Sequence, residues 1–355
     1  MVGDLSRDIG MINRVLIVGL GSIGKRHLRL ARNLIPNAEI AVLRHRECTG
    51  IPEHADHVFS QLDQAIAFAP QVAVIANPAP YHLSCAVPLA RAGVHLIVEK
   101  PLATSTEGVP ELIEIGRMGG LTLMTGYNLR YSPSLIKFKE FIDDGVIGDI
   151  WSIQCEAGQY LPLWRPDADY RDGVSARLAL GGGALLELSH ELDYLRWIFG
   201  EAEWVQATLS KQSDLEIDVE DSVSMDMQFA RQTTGTSPIA SVNLSLLRHD
   251  ACRICTVVGK LGCLKWDGIA GSVELFSSGG ERWVEMFRHV SPRDETYEAQ
   301  WRCFLQYVTS HAKSIAGAID GFQVMRLVEL IKLSGMLGQR LHLNRERERI
   351  GGLVK

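Results

Sequence analysis

No stretch of this chain is apolar for long enough to cross a bilayer, and its first residues, Met1-Val-Gly-Asp-Leu-Ser-Arg-Asp, lack the apolar core of a signal peptide. Neither a membrane-embedded nor an exported protein is expected, and the cytoplasm is the expected location. Positive charge is not in excess: 36 Lys and Arg against 42 Asp and Glu leave a net charge of −6, which argues against a nucleic-acid surface. Cysteine is sparse and odd in number. Seven in 355 residues fit reduced thiols rather than a disulfide framework. Cys252 and Cys255 do form a C-x-x-C, but in a segment that reads as a strand an offset of three puts the side chains on opposite faces, so no metal site is expected. Internal repeats and low-complexity tracts are also missing.

What is present is enough apolar residue, 46%, to fill a core in each of two domains, the number that the length suggests. The stretch that organises them is Arg14-Val-Leu-Ile-Val-Gly-Leu-Gly-Ser-Ile-Gly-Lys-Arg-His27. Val15 to Val18 are continuously apolar, as a strand covered on both faces must be. Gly19, Gly21 and Gly24 follow at G-x-G-x-x-G spacing and lead into a helical segment. An ordinary glycine-rich turn would show the same three residues. The strand before and the helix after are what make this a dinucleotide turn, with the N–H groups of Ser22, Ile23 and Gly24 facing a pyrophosphate. A second strand, Glu39 to Leu43, ends in Arg44 about 20 residues further on, where the adenosine ribose is met. An acidic residue there accepts from a 2′-hydroxyl; Arg44 suits a 2′-phosphate and favours NADP, although the same guanidinium stacked on adenine is compatible with NAD.

Three more apolar strands end in small polar clusters: Val72 to Ile75 before Asn77-Pro78, His95 to Val98 before Glu99-Lys100-Pro101, and Leu121 to Met124 before Gly126-Tyr-Asn128. Open parallel sheets bind ligands beyond the carboxyl ends of their strands, so these clusters should line one crevice. After about residue 150 the pattern changes. Val223, Met225, Met227 and Phe229 alternate with polar residues, as do Ala240, Val242, Leu244 and Leu246, which predicts a mainly antiparallel sheet with one wetted face. The expected organisation is a leader over 1–12, a nucleotide-binding domain over 13–127, a substrate-binding α+β domain over 128–344 and a charged tail over 345–355. Late helices are expected over 295–313 and 321–340.

Two residues stand out for chemistry. A crevice lysine is most often a solvated surface residue, but Lys100 follows a strand whose end lies over the expected nicotinamide. His190 falls in a segment, 184–198, that reads as one helix stopped by Gly200; at that spacing Glu187 and Asp193 lie one turn to either side of it, and a carboxylate beside an imidazole suits a proton relay. A surface histidine on an amphipathic helix is the plainer reading. The triple glycine 181–183 favours the first, since it removes side chains where a ligand could approach. The loop with Trp164, Arg165, Asp167, Asp169, Tyr170 and Arg171 has the polar and aromatic character of a sugar or phosphate contact, or of a plain connection.

These motifs, in this order, resemble the glucose–fructose oxidoreductase, inositol dehydrogenase and MocA family. The match rests on Gly19-Leu-Gly-Ser-Ile-Gly24 with Arg26-His27, Asn77-Pro78 with His82, Glu99-Lys100-Pro101, Asn128 with Arg130, His190 with Asp193, and Asp320-Gly321. The resemblance implies an N-terminal Rossmann domain and a C-terminal domain on a large, mostly antiparallel sheet. It implies hydride transfer between NAD(P) and a hydroxyl carbon of a sugar, sugar nucleotide or polyol, with Lys100 near the reacting hydroxyl, His190 as acid/base and Asp193 beside it. Cofactor contacts are implied for Asn77, Pro78, His82, Glu99, Lys100 and Asn128, and substrate contacts for Arg130, Trp164, Arg165, Tyr170 and Glu187. Many relatives carry an acid four residues before the histidine, whereas position 186 here is Leu and the acid is Glu187. Relatives that hydrolyse glycosides while retaining NAD, and a non-catalytic dinucleotide sensor, are the alternatives; a sensor needs neither Lys100 nor His190. Self-association through the C-terminal sheet is expected.

Overall fold

The computed structural model describes residues 12–45, 50–230, 235–310 and 316–343. Apart from Ile12, the leader lies outside these residues, as does the charged tail. The chain forms two compact units. One comprises the residues up to Asn128 together with Asp294–Met325; the other comprises Leu129–Arg293 and the residues from Arg326 on.

The first unit is built on a parallel sheet of β1 (Arg14–Val18), β2 (Glu39–Leu43), β3 (His57–Phe59), β4 (Val72–Ile75), β5 (His95–Val98) and β6 (Leu123–Thr125), in the spatial order β3-β2-β1-β4-β5-β6. This is the doubly wound order of a Rossmann fold. Alternate residues of each strand serve opposite faces. Leu16, Val18, Ala73, Ile75, Leu96 and Val98 pack with Ala86, Leu89 and Leu112 from the helices His82–Arg91 and Val109–Gly119. Val15, Ile17, Val72, Val74 and Ile97 pack with Leu28 and Ala31 of the helix Ser22–Leu34, and with Trp301, Phe304 and Leu305 of the helix Glu295–Ser310. That returning helix is why a domain limit at 127, read from the chain in order, leaves out part of this unit.

The second unit carries the expected mixed, mainly antiparallel sheet. Its strands are β7 (Ile150–Gly158), β8 (Ala202–Ser210), β9 (Ser222–Phe229), β10 (Ile239–Ser245), β11 (Cys252–Gly259), β12 (Gly262–Asp267), β13 (Ser272–Ser277), β14 (Val284–Arg288) and β15 (Leu341–His342). They are ordered β14-β13-β12-β11-β7-β10-β9-β8-β15, and among the described residues β7 and β10 form the one parallel pair. The alternation seen in the sequence is the alternation of burial: Val223, Met225, Met227 and Phe229 are buried, while Ser224 and Asp226 are exposed. The helix His190–Phe199 lies on the covered face, where Tyr194 meets Trp266 edge-on at 5.3 Å. The C-x-x-C pair sits in β11, where Cys255 is fully buried and Cys252 is half-buried; both are free thiols. No group of potential metal ligands and no helix long and apolar enough to cross a membrane occurs among the described residues.

The strand order reverses between β1 and β4, and the turn after β1 is tightly constrained there. Gly19 has φ +89°, and a Cβ on it would lie 2.7 Å from the Asn77 nitrogen. Gly21, two residues on, has an ordinary φ, and a Cβ there would meet nothing within 4 Å. Gly19→Ala is therefore expected to cost at least about 1–2 kcal/mol for the left-handed backbone, with the collision in addition. Gly21→Ala should stay within about 0.5 kcal/mol of the parent. Urea unfolding of the two variants checks this, and equal losses would contradict it.

Candidate active site

In the first unit the expected cofactor residues lie at the carboxyl ends of β1, β2, β4, β5 and β6. The helix after β1 starts from Gly21 with no side-chain cap, so the first-turn N–H groups of Ser22, Ile23 and Gly24 have no acceptor within the helix. A side chain on Gly24 would run into the Gly19 carbonyl oxygen, whereas the space above Gly21 is open. An uncapped helix N-terminus beside an open glycine fits a pyrophosphate. The Gly19 N–H donates to the Leu43 carbonyl at 2.8 Å, which ties this turn to the residue before Arg44. Arg44 is half-buried, and its own N–H bonds to Phe59 across to β3.

Asn77 and Pro78 follow β4. The Asn77 amide donates toward the Tyr81 carbonyl at 3.3 Å and toward Cys85, while its Oδ1 is buried with no acceptor role filled, a place for a ligand donor. His82 is only 1% exposed. Its Nε2 lies 2.8 Å from the Asn77 carbonyl and its Nδ1 3.0 Å from that of Pro101, so it ties the segment after β4 to the segment after β5. Asn128 spends its amide on Thr296 at 2.8 Å. Glu99 is likewise buried: its Oε1 lies 2.8 Å from His27 Nε2 and its Oε2 accepts from the Lys100 N–H at 3.3 Å. Lys100 itself is half-buried at the end of β5.

The second unit holds His190, and here the expected single helix is broken. Ala184–Glu187 and His190–Phe199 are separate helices, because Leu188 leaves helical geometry at φ −99°, ψ 24°. His190 is thus in the first turn of its helix, and Glu187 is not one turn before it on a shared face. Asp193 is one turn after it. Both Asp193 oxygens accept from Arg130, at 2.9 Å from Nε and 2.7 Å from Nη2, and the pair is 1% and 3% exposed. Arg130 therefore turns its Nε and Nη2 toward Asp193.

In the triple glycine, the space beside Gly182 and Gly183 is filled by the protein itself rather than left for the expected ligand. A Cβ on Gly182 would meet the Ser175 carbonyl oxygen at 2.7 Å, and one on Gly183, at φ +106°, would meet the Glu220 carboxylate at 2.7 Å. That carboxylate accepts from the Leu185 N–H at 3.0 Å, and burial raises its pKa. Trp164 and Tyr170 are half-buried and Arg165 is exposed, in a run of short 3₁₀ turns. The Trp164 indole donates to the Gln159 carbonyl, and Arg171 pairs with Asp169 and Glu216.

Two buried side chains next to these residues are given no role by the sequence. Glu191, fully buried beside His190, accepts from Arg253 at 2.7 Å, a partner 62 residues away that no local pattern shows. His27 did carry a signal: it shares the buried face of its helix with Gly24, Leu28 and Ala31.

Residues 13–127 match the oxidoreductase family with an NAD-binding Rossmann fold, and residues 135–264 match the GFO/IDH/MocA C-terminal domain. The chain belongs to the GFO/IDH/MocA oxidoreductase family. Levoglucosan dehydrogenase of Pseudarthrobacter phenanthrenivorans is 34% identical over 140 residues, 38% of this chain and 35% of that protein. Inositol 2-dehydrogenase 2 of Saccharopolyspora erythraea is 29% identical over 212 residues, 56% of this chain and 57% of that protein. The matched stretches thus span between about a third and three-fifths of these curated relatives. Levoglucosan dehydrogenase in complex with NADH and levoglucosan superposes with a TM-score of 0.78 at 20% identity, over 93% of this chain and 99% of that one, which shows a shared fold.

The buried imidazole of His82 gives a pH prediction. Burial lowers its pKa below the ordinary 6.5, outweighing the carbonyls and Glu99, which pull the other way. The unfolded chain then binds the proton more readily, so stability should fall as pH drops through about 6.5 toward the folded value. His82→Gln should reduce that slope by up to about 1.4 kcal/mol per pH unit, measured from urea midpoints between pH 8 and 5.5. An unchanged slope would show that other groups set the acid limit.

Proposed function

We propose that this protein transfers a hydride between NAD(P) and a hydroxyl carbon of a sugar, sugar nucleotide or related polyol, and that NADP is the preferred nucleotide. The observation that carries the reading is within the first unit. The glycine turn, Asn77 and Lys100 follow β1, β4 and β5, which are neighbours in the sheet, so an open glycine turn and a lysine share the carboxyl end of the sheet. When bound, nicotinamide accepts or gives the hydride. Ser22, Ile23 and Gly24 would hold the pyrophosphate through N–H groups, and Asn77 Oδ1 would take a donor from the nucleotide. Oxidising an alcohol needs a proton to leave oxygen as hydride leaves carbon. Lys100 would stabilise the developing alkoxide with its charge, and His190 would take the proton. The sugar dehydrogenases among the relatives favour a polyhydroxylated substrate. We extend the proposal to a cytoplasmic homo-oligomer assembled through the nine-stranded sheet, whose end strand β14 exposes Val284 and Met286.

A screen of the purified protein with NAD and NADP against levoglucosan, myo-inositol, common aldoses and UDP-sugars, followed by absorbance of reduced nicotinamide, tests the reaction. On a positive substrate, Lys100→Met and His190→Ala should each lower kcat by roughly 100-fold or more, with nucleotide affinity retained. If both serve the same oxygen, the double variant is far less than additive. Lys100→Met with near wild-type turnover would end this reading; product without net nicotinamide change would turn it toward a glycosidase.

Nucleotide choice is a separate expectation. A guanidinium on a 2′-phosphate contributes on the order of 1.5–3 kcal/mol, so Arg44→Ala should weaken NADP by roughly 10- to 100-fold and leave NAD nearly unchanged in a fluorescence titration. Equal losses for both, or a wild-type preference for NAD, would count against NADP.

A further inference from the structure

His27 is fully buried between its helix and the sheet, and both ring nitrogens are used. The indole Nε1 of Trp301 lies 2.9 Å from Nδ1. An indole N–H only donates, so Nδ1 must be the bare, accepting nitrogen, and the ring proton is on Nε2. Nε2 in turn lies 2.8 Å from Glu99 Oε1, and a carboxylate accepts. The direction of the whole chain is therefore fixed: Trp301 donates to His27, His27 donates to Glu99, and the other oxygen of Glu99 accepts from the Lys100 N–H. Packing holds the same groups. Tyr297 meets the imidazole edge-on at 5.9 Å, and Gly126 lies so close that a Cβ there would be 2.9 Å from Glu99 Oε2.

We infer that His27 is a positioning residue for Lys100, acting through Glu99 and touching neither substrate nor nucleotide. The inference rests on the proposed role of Lys100. Its physical basis is the cost of a buried carboxylate short of a donor. Without His27, Glu99 must take up a proton or draw in the ammonium of the next residue, and either change displaces Lys100. An apolar side chain of similar size fills the space but leaves that carboxylate unsatisfied. Glutamine keeps an amide N–H for Glu99 and a carbonyl for Trp301.

The test compares His27→Met with His27→Gln, with Lys100→Met alongside, all checked for equal folding by urea unfolding. On a substrate from the screen, His27→Met should lower kcat roughly 10- to 100-fold, the range of a displaced catalytic group, and leave the affinity for NADPH within about 3-fold. His27→Gln should recover most of the loss, and His27→Met added to Lys100→Met should cost little more. A readout on the protein alone uses selective ¹⁵N-lysine labelling, with the Lys100 amide signal identified by its loss in Lys100→Met. That signal should move in His27→Met and stay near its place in His27→Gln; ¹⁵N-histidine labelling of the parent should show His27 protonated on Nε2. Equal impairment of the Met and Gln variants would reduce His27 to a space-filling role, and an Nδ1-protonated ring would overturn the chain of donors. Should His27→Met fold poorly, the Gln variant and the tautomer measurement still decide. Full activity in Lys100→Met would defeat the reading of Lys100 itself, whereas an inactive Lys100→Met beside a fully active His27→Met would defeat only the positioning role.

Discussion

A carboxylate withdrawn from water must be given donors, and much of this protein's polar architecture follows from that requirement. Three acids at or near the proposed chemistry are buried: Glu99 in the first unit, and Glu191 and Asp193 in the second. Each has a partner brought from elsewhere in the chain, His27 for Glu99, Arg253 for Glu191 and Arg130 for Asp193. The choice of donor differs with the task. Asp193 receives a full charge from a bidentate fork, which is stiff and geometrically selective. Glu99 receives neutral ring and backbone N–H groups, which leave its negative charge uncancelled beside Lys100. Removing one member of such a pair strands the other, so these residues are sensitive to substitution whether or not they touch a ligand.

That distinction accounts for where reading from sequence succeeded and where it did not. The strands of the first unit were legible because both faces are covered, and the strands of the second because one face is. Val15 to Val18 are apolar without interruption, while Val223 to Phe229 alternate. The turn at Gly19 was legible because its constraint is local, a left-handed backbone against Asn77. Side chains whose partners lie far along the chain were not. Nothing near Arg130 or Asn128 in the sequence points to Asp193 and Thr296, which arrive 63 and 168 residues later and decide what the two side chains do. Trp301, Phe304 and Leu305 announce a buried helix face by their spacing, but not which sheet it covers.

The two glycine clusters make the same point from opposite sides. Gly21 is open to solvent and meets nothing, so its lack of a side chain leaves room for something outside the chain. Gly182 and Gly183 are packed on the Ser175 carbonyl and the Glu220 carboxylate, so theirs leaves room for the protein itself. Both are glycine clusters just before a helix. Only the neighbours show that one is an open turn and the other a close crossing of backbone that lets Glu220 reach the first N–H groups of the helix Ala184–Glu187. The break at Leu188 belongs to this second arrangement: a four-residue helix capped by Glu220 ends before His190, which then begins a new helix.

Starting a helix at His190 has a chemical consequence that a mid-helix position would not. The positive end of the helix dipole lies at the ring's own turn and favours negative charge beside it by a few tenths of a kcal/mol to about 1 kcal/mol. Glu191 and Asp193 bring negative charge to the same turn, and each is matched by an arginine. Lys100 stands beside Glu99, a carboxylate whose donors are the His27 ring and the Lys100 backbone N–H. In both units the residue proposed for the chemistry is flanked by a buried carboxylate whose partner comes from elsewhere in the chain, so a substitution at that partner acts on the site without touching a ligand.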